Sequence, residues 1–327
     1  MINFPVAVVR TLLAGVLMAI GGTVAAQLSY PIKPIHAIVP FPPGGSNTFL
    51  ARLFGQKLTE GLGQQVIVDN RPGGNTIIGT EALAKSPADG YTLIFVSSAH
   101  VINSLLLPNL PYDTIKDFAP VATLVSTEQV LVLNPQVPAN NLQEFIALAK
   151  SKPGQLNYAT PGAGGPSHLA AEMFSILTGV KMQHIPYKGA GQSMTDLIGG
   201  QVQLTFSNPI NIVANIKSGK LRGLAISGAN RSSVLPQVPT FTEAGLPGFG
   251  AGFWQGVLAP AGTPKGIIDT LSAEIVKILA MPDIKEKLSN QGQEPFYSTP
   301  EQFAALMKAD LAKYANVIKT ANIKIEH

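Results

Sequence analysis

Apolar, β-rich runs alternate with segments of helical period along most of the chain, and this alternation restricts the fold more than any other feature. The runs "IHAIVPF", "QQVIVDN" and "YTLIFVSS" are each followed by a segment of helical character, such as residues 47–59. Strands that alternate with helices are typical of parallel sheets with crossover helices. We therefore expect an α/β fold whose mixed, mostly parallel sheets are flanked by helices.

Two long strand-like stretches interrupt the alternation. They are "FAPVATLVSTEQVLVLNP" at 118–135 and "GFWQGVLAP" at 252–260, and a second alternating block lies between them. We predict that each stretch crosses between two domains, and that the helical segments at 264–279 and 299–322 pack back on the first. Domain 1 would then comprise residues 27–126 and 252–327, and domain 2 residues 127–251.

The first 26 residues have the pattern of a secretory signal peptide. Arg10 is the only charge before Lys33, residues 11–24 are almost wholly apolar, and Ala25 and Ala26 are small. We predict cleavage after Ala26 and export to a bacterial periplasm. The alternative is a retained membrane anchor, although the apolar run is shorter than the roughly 20 residues that a spanning helix needs. A lipoprotein anchor is excluded because the chain has no cysteine.

Composition and motifs exclude several classes of function. The net charge of +4 falls to +3 without Arg10 and is not clustered, so nucleic acid is not an expected partner. The histidines at 36, 100, 168, 184 and 327 lack the spacing of metal ligands, and we expect neither metal nor cofactor. G-x-S-x-G, G-x-G-x-x-G, P-loop and H-E-x-x-H motifs are missing, so we do not expect an enzyme. Missing motifs do not rule out a Ser/His/Asp catalytic triad, because its residues come together only in the folded protein.

Four strand ends run into loops of the same character: "PFPPGGSNT" (40–48), "SSAHVIN" (97–103), "ATPGAGGPSH" (159–168) and "PYKGAGQS" (186–193). In open α/β sheets, ligands bind outside the carboxyl ends of strands, where helices begin. A helix N-terminus offers unpaired amides and a partial positive charge, and glycine lets backbone approach a ligand closely. The four loops therefore predict a binding site for a small carboxylate.

The same residues also have structural interpretations. Residues 46–48 are plausible N-caps of a helix that would form anyway. His168 could lie on a helix surface, and Lys188 could be solvated instead of binding a carboxylate. Arg71 is expected to tie loops together, and Trp254 could either line the cleft or belong to the core. The recurrence of the loop type, two loops in each block, is what favours a site.

Long stretches of the chain resemble one family. They include "YPIKPIHAIVPFPPGGSNTFLAR", "GQQVIVDNRPGGNTIIGTEALAKSPADGYTL", "PGQLNYATPGAGGPSHLAAEMF" and "HIPYKGAGQSMTDLIGGQVQLTF". They look like the Bug family, the solute-binding receptors of tripartite tricarboxylate transporters, over essentially the whole mature chain. The resemblance implies a periplasmic two-domain clamp of the type II binding-protein class. Members capture small carboxylates, amino acids or aromatic acids between the domains.

The resemblance also implies a set of ligand contacts, made by loop amides, hydroxyls and ordered water. In domain 1 they fall on Phe41, Pro43, Gly44, Gly45, Ser46, Asn47, Thr48, Ser97, Ser98, Ala99 and His100. In domain 2 they fall on Thr160, Gly162, Gly164, Gly165, Ser167, His168, Tyr187, Lys188, Ser207 and Asn208. Many members have Asp where this chain has Thr48. Members that use that Asp to bind an amino group would differ, so we expect a simple carboxylate here.

The expected mechanism is a hinged clamp that closes on a carboxylate and is then recognised by membrane permease subunits. We expect a monomer. One alternative is the same clamp serving as a ligand sensor for a regulatory partner. Another is a periplasmic enzyme acting on a carboxylate.

Overall fold

The structure is a computed structural model that describes residues 30–107, 109–187 and 189–323. Over these ranges the chain forms two β-sheets flanked by helices, as expected for an α/β fold. None of the helices within these ranges is long and apolar enough to cross a bilayer. The predicted signal peptide lies outside the described residues.

The first sheet has six strands in the order β11-β4-β10-β3-β1-β2. The strands are β1 (Ile35–Val39), β2 (Val66–Asn70), β3 (Thr92–Ser97), β4 (Phe118–Thr127), β10 (Phe253–Pro260) and β11 (Glu294–Pro295). Strand β1 runs parallel to both β2 and β3, with Ile35 opposite Val66 and His36 opposite Thr92. Strand β10 runs antiparallel to β3 and to β4.

The second sheet has five strands in the order β7-β6-β8-β5-β9. The strands are β5 (Val130–Leu133), β6 (Asn157–Thr160), β7 (Gln183–Pro186), β8 (Leu204–Ser207) and β9 (Arg222–Ile226). Strand β6 is parallel to β7, with Tyr158 opposite His184, and parallel to β8. Strand β5 is antiparallel to both β8 and β9.

Both sheets are mixed, as predicted, but they are not mostly parallel. Every antiparallel pair contains β4, β5 or β10, which are the strands that carry the chain from one sheet to the other or back. The stretch 118–135 forms two strands in different sheets, separated by Glu128 and Gln129. A strand that enters a sheet from a neighbouring sheet needs no crossover helix and can therefore run against its neighbours.

Helices cover both sheets. They are α1 (Ser46–Leu62), α2 (Ile77–Ala84), α3 (Ala99–Leu106), α4 (Leu142–Ser151), α5 (Pro166–Thr178), α6 (Ala190–Ile198), α7 (Pro209–Lys217), α8 (Lys265–Ala280), α9 (Pro282–Ser289) and α10 (Pro300–Thr320). Helix α5 ends at Gly179, whose φ of 72° is left-handed, and α10 begins with a capping box at Thr299. Helix α9 and the short β11 have no counterpart among the sequence predictions.

Each sheet has its own apolar core. Leu50 and Phe54 of α1 pack on the first sheet. The core beside the second sheet contains several aromatic rings, such as those of Phe174 and Phe206. We call the first sheet with α1–α3 and α8–α10 the first lobe, and the second sheet with α4–α7 the second lobe. We propose that these lobes are the two domains predicted from the sequence.

A further apolar cluster joins the lobes, and we call it the interlobe seam. Leu169 of α5 packs there with Ile102 of α3 and with Tyr314 and Val317 of α10. Helix α10 therefore contacts both lobes, whereas the sequence predicted that it packs on the first alone.

Candidate functional site

A cavity of about 520 Å³, here called the second-lobe cavity, lies at the carboxyl ends of β6 and β8. Helices α5, α6 and α7 all begin at its wall, where Ser167, Gly191 and Asn208 line it. Thr205 and Phe206 of β8 also line it. Three helix starts thus converge on one cavity, as the loop pattern predicted for two of them.

The amides at this cavity are free to bind a ligand. Among the described residues, the backbone N–H groups of Ala163, Gly165 and Ser167 have no hydrogen-bond acceptor. No side chain of Asp, Glu, Lys or Arg from the described ranges lines the cavity. Lys188, close to α6 in sequence, lies outside those ranges. The unpaired amides and the helix dipoles at this cavity both favour an anion.

A second cavity of about 400 Å³, the interlobe cavity, lies between the lobes. Phe41, Ile102 and Leu106 of the first lobe line it opposite Gly164 and Gly165 of the second. Residues 160–165, which we call the glycine loop, therefore form part of the wall of both cavities. The two cavities meet at this loop.

The polar residues of the interlobe cavity satisfy one another. Gly73, Gly74, Asn75 and Thr76 all have positive φ, between 51° and 128°. The left-handed region costs about 1–2 kcal/mol for a residue other than glycine. Asn103 supports the turn, because its Nδ2 donates to the Asn75 carbonyl at 2.5 Å and to Thr76 Oγ1 at 3.1 Å. None of these turn residues is among the contacts that the resemblance implies.

Most of the predicted first-loop residues do not face these two cavities. Ser46 Oγ donates to Gln255 Oε1 at 3.0 Å and accepts from Gln293 Nε2 at 2.6 Å, so its hydroxyl is already bonded within the first lobe. Thr48 Oγ1 accepts from Asn70 Nδ2 at 2.8 Å.

The rest of that loop lies on the outer side of α1. Gly44, Gly45 and Thr48 line a separate cavity of about 410 Å³ beside Arg52 and Lys287. Pro43 and Asn47 line none of these cavities. Pro40, Phe41 and Pro42 of the loop reach the interlobe cavity, and of these only Phe41 is a predicted ligand contact. Helix α1 turns its first residues towards Gln255 and α9, which sequence spacing does not reveal.

The loop before α3 contributes one predicted residue to the interlobe cavity, Ala99. Ser97 Oγ accepts from the Ala99 amide at 3.3 Å, and Ser98 is buried. His100 belongs to the core: it is 3% exposed, its Nε2–H donates to the Thr114 carbonyl at 3.0 Å, and burial lowers its pKa to about 4. We therefore remove His100 from the candidate site.

In the second lobe most predicted residues are brought together. Gly162, Gly165, Ser167, Ser207 and Asn208 line the second-lobe cavity, and Gly164 lines the interlobe cavity.

Other predicted residues support their surroundings instead. The side chains of Thr160, the first residue of the glycine loop, and of His168 bond to the backbone of that loop and line neither cavity. Tyr187 donates to Asp196 Oδ2 at 2.7 Å and lines neither cavity. Trp254 is a core residue that donates from Nε1–H to Asp310 Oδ2 at 2.8 Å. Arg71 pairs with Asp69 at 2.6 Å, away from both cavities.

A carboxylate marks the place where the chain crosses between the lobes. Glu128 Oε1 accepts from Ser126 Oγ at 2.6 Å, and its Oε2 accepts from Ser227 Oγ at 2.5 Å. A Cβ added to Gly252 would lie 2.8 Å from both oxygens, so the return crossing passes directly against this carboxylate. The sequence predicted the crossings but not this connection between them.

Comparison with known proteins bears on the family and the fold. Residues 50–323 match the tripartite tricarboxylate transporter family receptor model. The chain is 39% identical to protein BugT of Bordetella pertussis over 317 residues, covering 95% of this chain and 97% of BugT. The R. palustris Rpa4515 structure with adipate is 33% identical with a TM-score of 0.75, covering 90% of this chain and 99% of that one.

A further solved structure, MatC from Rhodopseudomonas palustris with bound malate, is 31% identical with a TM-score of 0.71. That comparison covers 88% of this chain and all of MatC, 100%. The resemblance noted in the sequence is thus confirmed, and the chain belongs to the tripartite tricarboxylate transporter receptor family.

Proposed function

We propose that this protein is a periplasmic receptor that binds a small carboxylate and delivers it to the membrane permease subunits of a tripartite transporter. The observation that carries the proposal is the convergence of α5, α6 and α7 on the second-lobe cavity. The structures of relatives with adipate and with malate support a carboxylate as the ligand.

The physical basis is the set of unpaired amides at the glycine loop and the start of α5. A carboxylate can accept several of them at once, and each hydrogen bond to a charged group contributes about 1.5–3 kcal/mol. Ala163 and Gly165 lie in one short loop that contains Pro161, and Ser167 lies in the first turn of α5. Little conformational entropy is therefore lost when the ligand binds.

We infer further that the ligand carries no ammonium group and has an apolar body. Thr48, in the position where many members have Asp, has its hydroxyl engaged with Asn70. Among the described residues, no acidic side chain lines either cavity to neutralise an ammonium group. The side chains of Ile102 and Leu106 offer an apolar surface to the remainder of the ligand.

In this proposal the protein is a receptor and not an enzyme, acts as a monomer, and reaches the periplasm by cleavage of a signal peptide at residues 1–26. The lobes part to admit the carboxylate and close over it, and the permease recognises the closed form. We propose Glu128, between the two crossings, as part of the hinge.

A thermal-shift panel of acetate, succinate, malate, adipate and benzoate tests the ligand class. A carboxylate at 100 times its dissociation constant should add about 2.7 kcal/mol to the free energy of unfolding and raise the melting temperature by several degrees. The alcohols 1,6-hexanediol and benzyl alcohol are matched controls without a carboxylate. Aspartate is the matched control for malate, and we expect the smaller shift from aspartate because of its ammonium group. Shifts with neutral sugars or cations alone would refute the proposal.

A further inference from the structure

Four side chains of the second lobe form a cluster beside the glycine loop, and two of them, His168 and His184, are hydrogen-bonded to loop residues. We call Tyr158, His168, Glu172 and His184 the histidine cluster. The imidazoles of His168 and His184 stack with ring centroids 3.8 Å apart, and the Tyr158 ring stacks on His184 at 4.9 Å. The cluster lies on the side of the loop away from the ligand cavities, since none of the four lines either cavity.

One hydrogen bond fixes the chemical state of His168. The Gly164 N–H donates to His168 Nδ1 at 2.9 Å. An imidazole nitrogen can accept only when it carries no proton, so the ring is neutral and its proton is on Nε2. Gly164 has a left-handed φ of 75°, and this bond holds its amide towards the cluster.

A second chain of hydrogen bonds fixes His184. Thr160 Oγ1 lies 2.9 Å from the Gly162 carbonyl and 2.7 Å from His184 Nε2. A hydroxyl has one proton, and the carbonyl can only accept, so Thr160 donates to Gly162. His184 Nε2–H must therefore donate to Thr160.

The surroundings keep both rings neutral. Burial lowers the pKa of His168 to about 4, with a smaller contribution from His184, and burial lowers the pKa of His184 to about 4. The groups that face His168 are His184 of β7, Tyr158 of β6 and Glu172 of α5 itself. Glu172 Oε1 lies 3.9 Å from His168 Nε2, beyond hydrogen-bond distance, and it accepts from the Tyr158 hydroxyl.

The hydrogen bond between Gly164 and His168 decides which amides of the loop remain available to a ligand. Gly164 is the one amide of the loop's glycine-rich end that points to a partner behind it, whereas Ala163 and Gly165 on either side have no acceptor among the described residues. We propose that neutral His168, supported by His184, is a positioning residue that sets the loop so that the Ala163 and Gly165 amides are available to the ligand. This inference takes its ligand, a carboxylate, from the proposed function. The hydrogen bond between Gly164 and His168 follows from the geometry alone.

The first test needs no ligand. A long-range ¹H–¹⁵N NMR spectrum of the full mature protein at pH 7 should show His168 with an unprotonated Nδ1 and a proton on Nε2, and this pattern should persist down to pH 5. The His168→Asn variant assigns the signals by their loss. An Nδ1-protonated tautomer, or a charged ring at pH 7, would overturn the proposal whatever the protein binds.

The second test uses substitutions of His168. In His168→Asn the side-chain oxygen can take the place of Nδ1 as acceptor, whereas His168→Leu has similar bulk but no acceptor. The probe is the compound of the five-carboxylate panel with the largest thermal shift, titrated by calorimetry. We expect His168→Leu to weaken binding about tenfold or more, because a misplaced loop amide loses its charge-assisted hydrogen bond to the carboxylate and such a bond contributes at least that factor. We expect the affinity of His168→Asn to stay within about threefold of wild type.

Phe174→Leu is the matched control, because Phe174 is buried in the same helix but packs into the second-lobe core. It should lower the melting temperature and leave the affinity within about threefold of wild type. Wild-type affinity in His168→Leu, or equal weakening in both His168 variants, would refute the positioning role. If no panel compound shifts the melting temperature, the carboxylate proposal fails, and the NMR tautomer result then decides the His168 proposal alone.

Discussion

Gly165 is the residue at which the ligand site can be probed with the least disturbance to the fold. Its backbone is extended, with φ of −78° and ψ of 175°, and a Cβ there would meet only the Gly162 carbonyl, at 3.9 Å. Gly164, by contrast, has a φ of 75°, so any larger residue there is strained by the backbone itself. Loss of binding after substitution of Gly164 would therefore be ambiguous.

We predict that Gly165→Val leaves the protein folded and weakens binding of the best panel carboxylate about 100-fold or more, or by about 2.8 kcal/mol. The reason is that the added side chain fills space at the meeting point of both cavities. Titration calorimetry measures the affinity, and circular dichroism checks the fold.

Gly266→Val is the control for Gly165→Val, since Gly266 lies in the first turn of α8 and a Cβ there meets nothing within 4 Å. It should bind as wild type does. Unchanged binding in Gly165→Val would place the ligand away from the glycine loop.

At the residue scale, the sequence located the second-lobe part of the site better than the first-lobe part. Glycine, proline and hydroxyl residues at a strand end indicated the loop that contains Gly165 and Ser167, and both residues line a cavity. That they bind a ligand stays a prediction. Sequence spacing does not give the direction of a side chain, however. His100 therefore proved to be a core residue, and His168 lies behind the loop instead of in front of it.

At the scale of elements, helices and strands could be predicted because their apolar periods are local. The segments predicted as helices at 264–279 and 299–322 form α8 (Lys265–Ala280) and α10 (Pro300–Thr320). The direction of β4, β5 and β10 depends on partners far away in the chain, so local patterns could not supply it. The short α9 lacks the length that makes a helical period evident.

The last helix, α10, offers an element-scale prediction. Asp310 is 4% exposed and accepts from Trp254 Nε1–H, which joins α10 to β10. We predict that Asp310→Ala lowers the free energy of unfolding by about 1–3 kcal/mol, because the buried indole N–H loses its acceptor. Urea denaturation followed by fluorescence measures this, and Trp254 is the only tryptophan of the chain.

Asp310→Asn is the matched variant, since its side-chain oxygen can still accept from the indole. It should be less destabilising than Asp310→Ala. Equal losses of unfolding free energy in the two variants would show that the ion pair of Asp310 with Lys313, whose Nζ lies 2.7 Å from Asp310 Oδ1, matters more than the hydrogen bond to Trp254.

At the scale of the whole molecule, the two lobes touch in more than one place. The interlobe seam around Leu169 and Tyr314 is apolar, whereas Ser233 of the second lobe and Ser289 of the first meet at the surface with their Oγ atoms 2.9 Å apart. The sequence indicated two blocks and two crossings, but contacts between the blocks depend on their relative orientation, which has no local signature.

Cysteines at the positions of Ser233 and Ser289 would allow the two lobes to be cross-linked by a disulfide. The chain has no cysteine, so a Ser233→Cys, Ser289→Cys double variant can form one disulfide only, with an S–S bond of about 2.05 Å. We predict that oxidation slows both uptake and release of a panel carboxylate about tenfold or more, because the lobes must part to exchange ligand. Stopped-flow fluorescence or filter-based exchange measures both rates.

The reduced double variant and the Ser233→Cys single variant are the controls, and both should exchange ligand as wild type does. Exchange that is equally fast in the oxidised protein would contradict the hinged mechanism, since it would mean that the ligand passes without separation of the lobes.

Among the described residues no charged side chain lines either cavity, and this has a consequence for the medium in which such a receptor works. Dissolved ions weaken attraction between exposed charges over a Debye length of about 8 Å at physiological ionic strength, but they act far less on partly buried groups. Peptide dipoles in a cleft would thus bind an anion with nearly the same affinity at low and at high ionic strength. A cell whose outer compartment follows the salinity of its environment could continue to scavenge nutrients through such a protein when conditions change.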